Sequence, residues 1–599
     1  MSRFNRVVRG CSVLTLAGSM LALVVASVVR EGRAQPAATA TAPVVGYADQ
    51  GWTAADRDIF YTTGQGSRIV PYAWFKALRR LDVDEPFAAD QLQRYGYLPN
   101  APSTRNPEGL PVGFVIDRSE TPIALGMTCA ACHTSQLEYR KDGVLHALRL
   151  DGAPANVDFQ SFLTDLTAAA RATLKQDDRF SAFATAVLGA GHSPEAAAML
   201  KREFGNWVGE FGEFMDLSLP PSPWGPARLD AFGMIFNRVA AHDLDIKSNF
   251  KVADAPVSYP FLWNASRQDR TQWNGGVPNG LFIQALGRNT GEVFGVFADL
   301  TPDRRLRGTP VTPPLIWYGD NSADLAGLQI LEEQIVKLRP PPWPSELFGF
   351  NEALARQGET LFNAHCLECH SDKPSKLVLG AWDTPVKAVG TDPKMVKNAE
   401  RMVDPGILKG SLVPSPPIGL KLESPSEAPD VLAVAVVGTL IDAVRGKPSQ
   451  RDGVLNALRA DAEKIGELKP DELLKIHEVI TAKLSGMFRK PATADAGAAY
   501  ESRSLHGIWA TAPYLHNGSV PNLWELLMPP EQRKSTFMVG SRVFDPKNVG
   551  YATDQSPFKN ATFVTDPANA NGNGNGGHVY GTTLTEAERW AIVEYLKKH

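Results

Sequence analysis

The chain has 599 residues, 43 % of them hydrophobic, which is enough for two to four ordinary globular cores. Its 61 Lys and Arg and 65 Asp and Glu residues leave a formal charge of −4. Neither sign forms a long run, so the basic footprint of a nucleic-acid-binding protein is excluded.

Arg3, Arg6 and Arg9 precede an apolar run from Cys11 to Val29, and small residues follow around Gly32-Arg33-Ala34-Gln35. This three-part pattern predicts a signal peptide over 1–34 and a protein that is periplasmic or secreted. The competing reading is an uncleaved anchor, because 19 residues can just span a bilayer; only then is a membrane a partner. An Ala/Thr/Pro-rich lead-in covers Pro36 to Thr41, and mature structure is expected from about Gly46.

From Thr53 to Gly96, Phe60, Tyr61, Tyr72, Trp74 and Phe75 recur at helical spacing, which predicts helices around the first motif. That motif is Cys129-Ala130-Ala131-Cys132-His133, and Cys366-Leu367-Glu368-Cys369-His370 repeats its grammar 370 − 133 = 237 residues later. C-x-x-C-H is the spacing of c-type haem attachment: two thiols bond the porphyrin vinyl groups and the adjacent imidazole ligates iron. The boxes use every cysteine except Cys11 in the apolar run. A pair of disulfides, one zinc site shared by both boxes and a thioredoxin-like redox pair are the alternatives. Neither box has a strand-then-helix redox context, and zinc would not require a histidine after each second cysteine. Two covalent haem c groups are therefore expected, held by Cys129, Cys132 and His133 and by Cys366, Cys369 and His370.

Between the boxes, Ala155 to Arg171, Glu195 to Phe214 and Asp230 to Ala241 predict helices, with a Pro/Gly-punctuated break at Pro220 to Pro226. Val257 to Gly295 is irregular and rich in Trp, Asn, Gly and Arg, the composition of loops that carry chemistry on a frame. Pro340-Pro341-Pro342-Trp343-Pro344 reads as a stiff connector and domain boundary, giving domains over 46–339 and 345–599. Beyond it, Asn351 to His370 predicts a helix delivering the second box, and Thr585 caps a closing amphipathic helix within Thr583 to Lys598. The expected fold is mainly α: two class I cytochrome c-type haem domains in tandem with long loop-rich insertions.

With these motifs in place the chain resembles the bacterial dihaem cytochrome c peroxidase superfamily, which includes the methylamine-utilisation dihaem enzymes and the dihaem rubber oxygenases. The resemblance rests on both boxes and on two further stretches. Tyr259-Pro260-Phe261-Leu262-Trp263-Asn264 with Gln272-Trp273-Asn274-Gly275 is similar to the family's P-x-x-x-W-N and F-W-D-G. Ala512-Pro513-Tyr514-Leu515-His516-Asn517-Gly518-Ser519 is similar to its A-P-Y-F-H-D-G-S. The wording Gly126-Met127-Thr128 before the first box, Gly576-Gly577-His578-Val579-Tyr580-Gly581-Thr582 and the chain's length lean toward the rubber-oxygenase branch.

The resemblance implies that His133 is the proximal ligand of a reacting haem, His370 that of an electron-transfer haem, and Trp273 a relay between them. It makes Glu292 the distal acid and base of peroxide chemistry, with Gln284 a weaker companion; the bland alternative for Glu292 is a salt bridge to Arg288. For the sixth ligand of the second haem it offers His578 ahead of Met528, with His516 as a polar contact. His146, the candidate for a removable ligand at the first haem, reads as a strand residue, so an open iron face lined by groups such as Phe261 and Trp263 is expected. The implied activity is a peroxidase-type oxidoreductase, reducing H2O2 with electrons from a small cytochrome c or cupredoxin. The alternatives are a dioxygenase using O2 on an apolar organic substrate and a plain electron carrier. Calcium bridges the domains in some relatives, and the sequence leaves it open here.

Overall fold

Between Phe114 and Asp151 the β-branched and aromatic residues fold as strands, and the first box lies among them. The computed structural model describes residues 43–303, 318–376, 378, 380–414, 420–445, 448–465 and 498–599. The expected signal segment, with Cys11, lies outside the described residues. Ala124–Met127 pairs antiparallel with Phe114–Asp117, and a single 3-10 turn, Cys129–Ala131, capped by the Thr128 hydroxyl, follows it. The chain then enters Thr134–Lys141, antiparallel to Val144–Asp151, whose other edge runs parallel to Val44–Tyr47. No helix runs into Cys129, so the class I pattern expected of both halves is absent at the first box. His146 sits in Val144–Asp151 with its ring stacked on Tyr139 at 5.4 Å, as its strand-like sequence suggested.

The second box has the cytochrome arrangement. Asn351 caps Glu352–His365, and Cys366 is the residue that ends this helix. The closing helix Glu586–Leu596 starts on a capping box in which Thr585 and Glu588 satisfy each other's backbone N–H groups. The two helices cross at Gly358, where a Cβ would stand 1.9 Å from the Ala591 carbonyl oxygen, so only glycine permits the approach. Phe362 packs on Tyr595 beside the crossing, ring centroids 5.2 Å apart.

Of the expected helices, Phe159–Lys175 and Pro194–Ser218 form close to their predicted limits, with Asp177–Leu188 between them. Ala231–Phe236 continues as a wider turn through Asn237–His242. Phe282–Gly295, placed in the irregular region by sequence, is a helix. It is almost entirely buried and carries Gly287, Gly291 and Gly295, so helix propensity does not announce it. Ala428–Arg445 has the same character: nearly continuous apolar sequence in the largest core.

The proline connector is fastened. The Trp509 indole N–H donates to the Pro341 carbonyl at 2.9 Å, and Trp343 meets Trp509 edge-on at 5.3 Å. Pro43–His599 forms one compact unit. No helix among the described residues is long and apolar enough to cross a membrane.

Candidate haem sites

His133 Nδ1 lies 2.8 Å from the Pro260 carbonyl oxygen. A carbonyl only accepts, so Nδ1 carries the proton and Nε2 is left for a metal. Burial pushes the imidazole's ionisation down to about 4, which keeps it neutral, as an iron ligand must be. Cys129 and Cys132 are free thiols, and burial pushes both up to about 12. They are therefore neutral sulfurs, the form that adds to a vinyl group to leave a thioether. Among the described residues no three His, Cys, Asp or Glu side chains converge as shared zinc would require.

Glu292 stands nearly three turns from the start of Phe282–Gly295, and its side chain is 42 % accessible. Gln272 Nε2 donates to its Oε1 at 2.7 Å. Burial raises the carboxyl above the usual glutamate range, with Arg288 opposing from 3.8 Å. Arg288 spends itself elsewhere: it donates to Glu332 Oε2 at 2.8 Å and to Asn279 Oδ1 at 2.6 Å. The salt bridge weighed for Glu292 is thus the weaker arm of a Glu292, Arg288 and Glu332 cluster whose charges all act on the Cys129 thiol. Glu332, on Leu325–Lys337, gave no sequence signal. Gln284 does not join the cluster: it accepts the Leu281 N–H as the third residue of the helix, about 12 Å along the axis from Glu292.

At the second box, His370 Nδ1 donates to the Arg503 carbonyl at 2.6 Å, again freeing Nε2. Facing it is His578, ring centroid 6.3 Å from that of His370 and planes at 51°. Two imidazoles bound to one iron from opposite sides, at about 2 Å per bond with each ring centre about 1 Å further, stand about 6 Å apart. The observed pair has that separation. Both histidines line one cavity with Cys366, Cys369 and mostly apolar side chains. Burial, with His370 beside it, pushes His578 down to about 3, so it too is neutral. Its Nδ1 is a buried atom without a hydrogen bond. Met528 is not on this wall, and its carbonyl is taken by Arg533. His516 is on the wall, stacked on Tyr500 at 3.9 Å, which makes the expected polar contact a ring-stacking one.

The loop carrying His578 is tied down at each step. Asp392 Oδ2 accepts the Gly572 and Gly574 N–H groups at 3.0 and 2.9 Å. Arg533 donates to the carbonyls of Asn575, Gly577 and His578. Gly577, at φ +70°, passes so close to Gly390 that a Cβ would come within 2.3 Å of its carbonyl carbon, and the His578 N–H donates to Val389 at 2.9 Å. A histidine presented this way is held in place by the protein's own hydrogen bonds.

Between the sites lies Gln272-Trp273. Gln272 holds Glu292, while the next residue, Trp273, lines the second cavity and donates its indole N–H to the Ser258 carbonyl at 2.8 Å. Phe261 and Trp263 do not line an open iron face. Phe261 follows the carbonyl that holds His133, lines the second cavity and stacks on Trp263 at 5.0 Å, so both belong to the wall between the sites.

The residues present fit haem c: paired sulfurs, a proximal imidazole with the correct nitrogen free at each box, and an opposed imidazole at the second. A family model described as RoxA-like, cytochrome c-like matches residues 499–538, the stretch from Ala499 through the A-P-Y-L-H-N-G-S motif to Met538. The chain is 30 % identical to the uncharacterised protein y4iJ of Sinorhizobium fredii over 92 % of its own length and 93 % of that protein's. It is 24 % identical to a second protein of that organism, the uncharacterised y4iM, over 49 % of each chain. Near-complete coverage at that identity shows that the chain belongs to one family with y4iJ, and within it residues 499–538, where the second cavity is built, form a RoxA-like, cytochrome c-like segment.

Proposed function

We propose that this is an exported dihaem oxidoreductase of the peroxidase type. It reduces hydrogen peroxide at the haem of Cys129, Cys132 and His133, with electrons that enter through the haem of Cys366, Cys369 and His370. When bound, haem supplies the iron centres for that two-electron reduction; the rest falls to the protein.

The observation that carries the reading is Glu292: a part-accessible carboxylate oriented by Gln272, whose charge acts on the Cys129 thiol and whose ionisation burial pushes up. Cleaving an O–O bond requires a group that takes a proton from one peroxide oxygen and returns it to the other, and a carboxylate so placed performs both steps. Arg288 and Glu332 hold the ground behind it. Trp273, one residue from Gln272, is the relay, and His578 with His370 would hold the second haem, which would supply electron transfer. A small cytochrome c or cupredoxin is the donor.

The test is anaerobic mixing of the reduced two-haem protein with peroxide and a reduced donor cytochrome: donor oxidation in step with peroxide loss is expected, and an inert donor would overturn the reading. Cys129→Ala should lower covalent haem from two equivalents per chain to one in a pyridine haemochrome assay.

A second reading is favoured by the RoxA-like match over 499–538: the first haem takes O2 and the protein oxygenates an apolar organic substrate. Oxygen uptake on an unsaturated hydrocarbon, with no donor oxidised by peroxide, would select it.

A further inference from the structure

Glu501 and Arg503 form an ion pair that the proposed chemistry leaves unused. Arg503 Nε meets Glu501 Oε1 at 2.6 Å, with the side chains 6 % and 0 % accessible. Burying such a pair gains little or no stability over apolar side chains, so its presence suggests a task for the charges themselves. The surroundings supply one. The Arg503 carbonyl holds His370 at 2.6 Å, while its Nη1 donates to the Phe261 carbonyl at 2.8 Å, one peptide beyond the Pro260 carbonyl that holds His133. A single residue thus touches the support of both proximal histidines. Its guanidinium lies over the rings of Phe261 and Trp273, 4.9 and 5.8 Å from their centroids, and its charge is felt at His133. Glu501 donates its backbone N–H to the Trp273 carbonyl at 2.8 Å and lines the second cavity, and its Oε2 is buried without a hydrogen bond.

We infer that Arg503 is a positioning residue common to both haem sites and that Glu501 balances its charge, so that this one pair sets the reduction potentials of both haems together. The inference rests on the dihaem reading. Reducing a haem adds one electron, which a nearby unbalanced cation favours and an unbalanced anion opposes, and in a dry interior the effect is weakly screened. Glu501→Gln leaves the cation unbalanced, while Arg503→Met leaves the anion.

Spectroelectrochemical titration of the two-haem protein reads this without turnover. Both midpoint potentials should rise in Glu501→Gln, fall in Arg503→Met and return toward wild type in the double variant. Arg503→Lys keeps the charge and should leave them near wild type. Should Arg503→Met fail to fold, Glu501→Gln and Arg503→Lys carry the test. A shift confined to one haem, shifts of the same sign in Glu501→Gln and Arg503→Met, or no shift in Glu501→Gln would overturn the inference. Fewer than two haems per chain would overturn the functional reading and this one with it. Two haems whose potentials move as described, with no response to peroxide, would overturn the peroxidase reading alone.

Discussion

Replacing His578 with alanine should turn the second haem from low-spin to high-spin while the first keeps its spectrum. The ligand pair His370 and His578 stands at the separation one iron dictates, and its loop is anchored by Arg533, Asp392 and the Val389 carbonyl. Among the described residues no methionine lines that wall, and His516 is stacked flat on Tyr500. Two neutral imidazoles hold a haem at low potential; losing one should raise the potential and open the iron to small ligands such as cyanide. Electron paramagnetic resonance, counting high- and low-spin ferric irons before and after the substitution, checks this directly. Spectra unchanged by His578→Ala would return the sixth position to Met528.

Glu292→Gln should reduce peroxide turnover about 10²- to 10⁴-fold, the usual contribution of a positioned acid–base group, while both haems load normally. The amide keeps an oxygen for the Gln272 donor, so geometry survives and proton transfer does not. The pH dependence has a definite sign. Burial raises this carboxyl, and the base is its ionised form, so kcat/KM should fall as pH drops through a value above the ordinary glutamate range. That acidic limb should vanish in Glu292→Gln. Turnover within twofold of wild type would remove Glu292 from the chemistry.

Much of the second site is legible in the chain itself. A C-x-x-C-H box, the helix from Asn351, glycine at 358 and the Thr585 cap are local features, each tied to a fixed spacing, and the helix crossing follows from them. His578 was legible only through resemblance, because a lone histidine after a glycine-rich loop has no periodicity to declare its partner. The first site was harder to read. Its box lies in a turn between strands, and the helix Phe282–Gly295 carries Gly287, Gly291 and Gly295, which lower the propensity by which helices are recognised. The proline run looked like a boundary because stiffness reads as a linker; Trp343 and Trp509 make it a seam.

Covalent bonding rules write themselves into sequence, so the chain alone determined the two haem boxes, the proximal histidines and the cytochrome-type helix pair at the second box. Tertiary structure decided what lies between and behind them: the imidazole facing His370, the Glu292, Arg288 and Glu332 cluster, and the Glu501 and Arg503 pair joining both proximal supports. Those partners are separated by up to 242 residues along the chain, as in the Arg503 bond to Phe261, and buried charges find one another through packing, which spacing does not record.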